Sequence, residues 1–261
     1  MKRLLTIAGS DSGGGAGIQA DLKTFQAFGC YGMTVLTAIT AQNTLGVQGV
    51  HDLPPEFVTL QLHSVVSDIG VDAVKIGMLS NTGVIRRLSG SLRARPLPNV
   101  VVDPVMRAKG GASLLQDDAQ EALIVEIVPL AKIITPNIPE AEVLSGRAIK
   151  NTEDMAEAAR RIHALGAGNV LVKGGHLGGD AVDVLYDGQT ITEFSCERIR
   201  TKNTHGTGCT FSAAIAANLA MGYDVKRAIE ISKKYVTEAI RTSLKFGKGI
   251  GPLNHFFTRI K

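Results

Sequence analysis

Pro98-Asn99-Val100-Val101-Val102-Asp103-Pro104-Val105-Met106 is a β-branched run that stops at an acidic residue followed by proline. Three valines in succession leave no polar face, so the strand they form must be covered on both sides. That is the pattern of a central strand in a parallel sheet, where crossover helices lie on both faces. Working outward, the same unit recurs. Asp72 to Met78 is a strand ending in glycine, and Thr82 to Leu92 is a helix that joins it to the valine run. Before them, Glu56 to Asp68 is amphipathic and helical, and Met33 to Gln42 suits a strand closing on Thr40-Ala41-Gln42-Asn43-Thr44. Leu4 to Ala8 is a buried strand running into the Gly9 to Gly17 loop, followed by a helix over Ile18 to Phe28.

The other direction repeats the pattern. The Lys109-Gly110-Gly111 loop and a helix near Gln116 to Ile127 lead to a strand at Lys132 to Ile134. Thr135-Pro136-Asn137-Ile138-Pro139-Glu140 ends that strand and starts a helix. Thr152 to Leu165 is a helix with Thr152 as N-cap, and Asn169 to Lys173 is a strand halted by Gly174-Gly175. Val182 to Tyr186 and Thr190 to Cys196 flank Asp187-Gly188 and form a hairpin. A long helix from about Val225 to Leu244 covers the sheet. This alternation predicts an α/β fold with a mostly parallel sheet between two helical layers, as one domain over residues 1–261.

Composition narrows the function. The net charge of +4 is spread along the chain and aromatics make up 5%, which excludes a nucleic-acid surface. No apolar run approaches the roughly 20 residues of a membrane span. Three irregularly spaced cysteines indicate a reducing compartment, and glycine and aspartate follow Leu4 to Ala8 too soon for a signal peptide. A cytoplasmic protein is expected.

Chemistry collects where an open α/β sheet binds ligands, beyond the carboxyl ends of its strands. Thr204-His205-Gly206-Thr207-Gly208-Cys209-Thr210 opens an Ala-rich helix that ends near Gly222. Unpaired N–H groups at such a start bind anions, phosphate above all. Cys209 lies in the first turn, where a positive field is expected to lower the thiol's pKa. Gly13 to Gly17 keeps neither GxGxxG nor P-loop spacing, so a dinucleotide-binding oxidoreductase is disfavoured. Lys75, Asp103, Glu140, Lys173 and the Gly206 to Gly208 turn together make the inventory of a phosphoryl-transfer site, with Mg²⁺ and a lysine on the phosphates.

The same residues carry a resemblance. Ala8-Gly9-Ser10-Asp11-Ser12-Gly13-Gly14-Gly15-Ala16-Gly17-Ile18-Gln19-Ala20-Asp21 resembles the opening of hydroxymethylpyrimidine/phosphomethylpyrimidine kinases, ribokinase-like enzymes of thiamine biosynthesis. So do Thr40 to Thr44, Val101 to Met106, Thr135 to Ala141 and His205 to Thr210, in order and over essentially the whole chain. The resemblance implies a ribokinase-like three-layer α/β/α sandwich. It implies ATP-dependent phosphorylation of 4-amino-5-hydroxymethyl-2-methylpyrimidine, then of its monophosphate, and a homodimer.

Residue by residue, the resemblance implies that Cys209 takes the acceptor hydroxyl proton, as an aspartate does in most ribokinase relatives. Gly206, Thr207 and Gly208 hold the transferring phosphoryl group. Gln42 reads the aminopyrimidine, for which a side-chain amide offers both donor and acceptor. Gly9 and Ala16 lie against the ring, with Met78 and Val105 as apolar walls. Asn137 and Glu140 position Mg²⁺ and phosphate, with Asp103 as a further metal residue, and Lys173 meets the nucleotide phosphates. Asp21 is either a helix-dipole residue or a polar contact to substrate. Cys30 and Cys196 are packing residues and His205 is loop structure. His176-Leu177-Gly178-Gly179-Asp180 is a flap over ATP or a plain loop. Pyridoxal kinase is the rival enzyme, and a non-catalytic nucleotide- or vitamin-binding protein is the rival from another class.

Overall fold

The computed structural model describes residues 1–107, 111, 114–116, 118–175 and 178–257. Among them, nine strands form one sheet: β1 (Arg3–Asp11), β2 (Tyr31–Asn43), β3 (Gly46–Asp52), β4 (Ala73–Ile76), β5 (Val100–Val102), β6 (Ile133–Ile134), β7 (Val170–Lys173), β8 (Ala181–Tyr186) and β9 (Ile191–Cys196). Their order is β3-β2-β1-β4-β5-β6-β7-β8-β9. Strands β2, β1, β4, β5, β6 and β7 run parallel, whereas β3, β8 and β9 are antiparallel additions at the two edges.

The valine run behaves as expected. Val100 and Val102 join one apolar cluster and Val101 the other, on the opposite face of the sheet. Leu5 and Ile7 against Leu4, and Val74 and Ile76 against Ala73, divide the same way. On one face lie α2 (Pro55–Asp68), α3 (Thr82–Ala94), α5 (Ile138–Ser145) and α6 (Thr152–Ala164), with the short helix α4 (Ala119–Ala122). On the other lie α1 (Gly17–Ala27), α7 (Thr207–Ala220) and α8 (Val225–Arg241). Every residue of α7 from Thr210 to Ala220 is buried, which fits a helix apolar all round. Its alanines let it press against β1, β4 and β5 between α1 and α8.

Several local expectations change. Asn151, not Thr152, caps α6, its side chain accepting from Asp154 N at 2.8 Å. The helix placed near 116–127 is shorter: α4 passes into a π turn at Leu123–Ile127 and a 3₁₀ turn at Val128–Leu130, where Pro129 lacks the N–H to continue. Strand β3 is an addition, because its sequence, Gly-Val-Gln-Gly-Val-His-Asp, is mostly exposed and has no buried face to announce it. The Lys109-Gly110 part of the expected loop and His176-Leu177 of the expected flap lie outside the described residues.

Candidate active site

The parallel strands end in step. Gly77 N bonds to Ile7 O at 2.9 Å, Asp103 N to Ile76 O at 2.8 Å, Thr135 N to Val102 O at 2.8 Å and Lys173 N to Pro136 O at 2.8 Å. This ladder lines up the first residues beyond each strand along one carboxyl edge, where α7 begins. A methyl group placed on Gly208 would stand 3.3 Å from Lys173 Nζ and 3.4 Å from Asp103 Oδ2. The start of α7 therefore faces the lysine and the aspartate at contact distance, and glycine leaves that approach open.

Lys173 Nζ donates to Asp103 Oδ1 at 2.7 Å. Burial works against the Lys173 ammonium, but Asp103 and Glu140 outweigh it and raise its pKa. Glu140 is committed structurally as well. Its Oε2 accepts from Asn137 N at 2.8 Å while Asn137 Oδ1 accepts from Glu140 N at 3.0 Å, a capping box at the start of α5. Burial pushes the Glu140 carboxyl up to about 7, Lys173 opposes the rise and Asp103 adds to it. One ammonium, bonded to Asp103, thus answers the charge of two carboxylates, and the cluster is short of positive charge. No group of three His, Cys, Asp or Glu residues able to hold a metal exists among the described residues. A pair of carboxylates with a charge deficit suits Mg²⁺, which keeps most of its waters and takes phosphate oxygens.

At the other end of the edge, Asp11 organises the glycine loop. Its carboxylate accepts from Gly13 N at 2.8 Å, Gly15 N at 3.0 Å and Ala16 N at 2.8 Å, and lies 2.8 Å from His205 Nε2. Burial alone would raise the Asp11 pKa, but the bond and charge of His205, with the backbone N–H groups, hold it below the usual range. His205 also lies 3.4 Å from Gln42 Nε2, and Thr40 Oγ1 lies 3.0 Å from Gln42 Oε1. Gly206 has a φ of +83°, and a Cβ there would fall 1.8 Å from Gly15 O, so the two glycine loops interlock through a position open only to glycine. Met78 Sδ packs against Gly9, and Val105 is half-buried just beyond β5. Of the expected flap, Gly179 O accepts from Arg198 Nε at 2.6 Å, and just before it Gly175 O accepts from Arg198 Nη1 at 2.8 Å.

Two expectations are corrected. Cys209 is not an acidic thiol. Burial pushes it up to about 11, against the pull of Lys75, with Asp21 and Asp103 adding to the rise and the Gly17 N–H opposing it. A first-turn position does not overcome the loss of water. Asp21 is not a first-turn dipole residue: it lies in the second turn of α1, fully buried. Its Oδ2 accepts from Lys75 Nζ at 2.8 Å and Thr6 Oγ1 at 2.6 Å. Sequence reasoning left Asp11 without a role, took His205 as loop structure only, and counted Lys75 among the phosphoryl-transfer groups rather than as a partner of Asp21. Lys75 carried the signal, because a lysine inside the apolar run Ala73 to Ile76 needs a buried partner.

A family model described as phosphomethylpyrimidine kinase matches residues 11–254. The chain is 48% identical over 256 residues to hydroxymethylpyrimidine/phosphomethylpyrimidine kinase of Bacillus subtilis, covering 97% of this chain and 94% of that protein. It is 56% identical over 253 residues to a thiamine biosynthesis bifunctional protein of Geobacter sulfurreducens, covering 97% of this chain but only 52% of that longer protein. Among solved structures it is similar to an ADP complex of Bacillus subtilis pyridoxal kinase, with 46% identity, a TM-score of 0.93 and full coverage of both chains.

Proposed function

Since the chain belongs to the phosphomethylpyrimidine kinase family, we propose that it is a kinase that uses ATP to phosphorylate first 4-amino-5-hydroxymethyl-2-methylpyrimidine and then its monophosphate. The observation that carries this reading is the meeting of the α7 start with the Lys173–Asp103 pair, where a methyl on Gly208 would reach both. Phosphoryl transfer needs little covalent help from a protein and much positioning and charge neutralisation. The N–H groups at Gly206 to Gly208 hold the transferring phosphoryl group from one side. Lys173 neutralises its charge from the other.

Asp103 and Glu140 would hold Mg²⁺ through its waters, and the ion supplies further neutralisation of the phosphate oxygens. Asp11 and His205 fix the glycine loop against the pyrimidine, and Gln42 presents its amide to the ring edge. Cys209 faces the acceptor hydroxyl. With its pKa near 11, the thiol is ionised in about one molecule in 10⁴ at pH 7. Only that minor thiolate form can receive the hydroxyl proton, which passes to sulfur as the bond to phosphorus forms. When the acceptor is already a phosphate anion, no such proton need be taken.

The test is an ATP-dependent mass-spectrometric assay that follows mono- and diphosphate together. Both products are expected from the unmodified protein. Cys209→Ala is expected to slow the first step by about 10²-fold, the scale of general base catalysis, and the second much less. Equal losses on both steps would remove the distinction. The high similarity to a pyridoxal kinase favours a second reading, in which pyridoxal is an acceptor too. A parallel assay with pyridoxal decides between them.

A further inference from the structure

Gln42 is held at both ends of its amide, and its partners are themselves committed elsewhere. The residue sits at an irregularity of the β2–β3 pairing, where the register shifts between Ala41 and Gln42. Such bulges re-aim a side chain. Ser12 pins the backbone there: its Oγ accepts from Gln42 N at 2.8 Å and donates to Gln42 O at 2.9 Å. The side-chain amide has Oε1 at 3.0 Å from Thr40 Oγ1 and Nε2 at 3.4 Å from His205 Nε2. Each of these two groups has a second neighbour. Thr40 Oγ1 lies 2.9 Å from Ser10 O, and His205 Nε2 lies 2.8 Å from Asp11 Oδ2. Ser10 and Asp11 are the last two residues of β1, so one strand end anchors both relays to Gln42.

Those second neighbours decide which end of the amide donates. A carbonyl oxygen only accepts, and a hydroxyl has one proton. If Thr40 gave that proton to Gln42 Oε1, its oxygen would face Ser10 O at 2.9 Å with no hydrogen between them. The Asp11 carboxylate, held below the usual range, likewise only accepts. If His205 Nε2 accepted from Gln42 Nε2, two acceptors would stand 2.8 Å apart. Both conflicts vanish when the amide makes a half turn about its last bond, which exchanges its oxygen and nitrogen. The nitrogen then donates to Thr40 Oγ1, whose own proton goes to Ser10 O. The oxygen then accepts from the same His205 N–H that Asp11 uses. One N–H at the Thr40 end and one lone pair at the His205 end remain for a ligand.

We infer that Thr40 and His205 are specificity-determining positioning residues, which lock the Gln42 amide in this direction and so select an aminopyrimidine over its oxo counterpart. The inference rests on the reading of Gln42 as the residue that meets the pyrimidine. An aminopyrimidine edge places a bare ring nitrogen, an acceptor, beside an amino group, a donor. In the oxo counterpart the ring nitrogen carries hydrogen and the exocyclic atom is a carbonyl oxygen. The order is reversed while the shape is nearly the same. A freely turning glutamine matches either ring, because half a turn exchanges its own donor and acceptor. A locked one matches a single order and sets donor against donor and acceptor against acceptor in the other. Apolar walls cannot make this distinction, whereas the direction of one amide can. Both positioning residues act through Gln42.

The experiment compares the two rings as acceptors in the ATP-dependent assay on the full chain: the aminopyrimidine, and the same compound with oxygen in place of its amino group. The unmodified protein is expected to favour the amino compound in kcat/KM by about 10²-fold, the scale of one bidentate contact to a base edge. Thr40→Val and His205→Leu each free one end of the amide. Each is expected to lower that preference by about tenfold, the scale of one net hydrogen bond, with KM for ATP unchanged. A merely structural role would slow both rings alike and leave the ratio where it was. His205→Gln, which returns an N–H near the place of Nε2, is expected to restore most of the preference. Should Thr40→Val or His205→Leu fail to fold, the other carries the prediction alone. Gln42→Leu separates the inference from the reading beneath it. If Gln42→Leu abolishes the preference while the Thr40 and His205 variants keep it, Gln42 reads the ring without a lock, and the inference alone falls. If Gln42→Leu keeps the preference, or the unmodified protein has none, the reading of Gln42 falls and takes the inference with it. Absence of turnover on both rings overturns the proposed function itself, and the inference with it.

Discussion

Two lysine–aspartate pairs stand at the same sheet edge, and they differ in what can reach them. Lys75 and Asp21 are sealed, with no side-chain exposure, whereas Lys173 and Asp103 keep 13% and 3% at the mouth of the cleft. The sealed pair is balanced and tied to fixed neighbours. The open pair shares its ammonium with Glu140 and faces the start of a helix that binds anions. A lysine whose counter-ion is permanent can support a fold or tune a neighbour. One whose counter-ions compete for it is ready to change partners when phosphate arrives. Similar chemistry thus serves as scaffold in one place and as instrument in the other, and burial makes the difference.

The largest expected effect breaks the sealed pair. Lys75→Met leaves Asp21 buried without its cation and is expected to cost about 3–5 kcal/mol of stability. Removing both charges as Asp21→Asn/Lys75→Met is expected to recover most of that loss, because an uncompensated charge is what makes the single change expensive. Urea unfolding of the two variants checks it. If the double variant is no more stable than the single one, the pair is not the closed unit described.

The open pair should respond the other way round. Lys173→Met is expected to reduce kcat by about 10²–10³, the scale of losing one fixed donor to transition-state charge, with a raised KM for ATP. Its melting temperature should move less than that of Lys75→Met, since water in the cleft can solvate Asp103. ADP production and thermal unfolding on one preparation measure both. A severe loss of stability with little loss of rate would make Lys173 a scaffold lysine as well.

This contrast could be read only in part from the chain. The valine run at 100–102 and the strand–helix alternation specify the sheet, because burial on both faces leaves no room for polar residues. Lys173 stood out as a charge closing an apolar strand next to glycines. Lys75 sits in an equally apolar strand, yet its partner is 54 residues away on α1, and nothing local to Asp21 says that it points inward. Asp11 was hidden for a related reason. A residue inside a glycine-rich loop reads as loop chemistry until three backbone N–H groups and a histidine 194 positions away are seen to converge on it. Cys209 was misjudged because a helix start predicts a positive field but says nothing of dehydration, and here dehydration outweighs the field. Side-chain periodicity reports which way a strand or helix faces. It does not report which distant charges share one buried volume.

The smallest expected effect concerns the third member of the open cluster. The Glu140 carboxyl is raised from an ordinary 4.5 to about 7, chiefly by burial. Between those values the folded protein binds a proton that the unfolded chain has already released. The stability this contributes is complete below about pH 4.5 and is lost as pH rises through about 7, with a slope of at most about 1.4 kcal/mol per pH unit. Glu140→Gln keeps a side-chain acceptor at the third position of α5, so the capping box survives, but it cannot titrate. The stability of the unmodified protein minus that of the variant, from urea unfolding in Mg²⁺-free buffer, is therefore expected to fall between pH 4.5 and 7 and to level off above. The sealed pair supplies the control: with Lys75 raised well above the ordinary lysine value, its ammonium does not titrate in this window, and Asp21→Asn/Lys75→Met should keep the slope that Glu140→Gln removes. Parallel profiles for the unmodified protein and Glu140→Gln would mean that Lys173 satisfies both carboxylates at once. The open cluster would then be as balanced as the sealed one, and the difference between them would reduce to exposure alone.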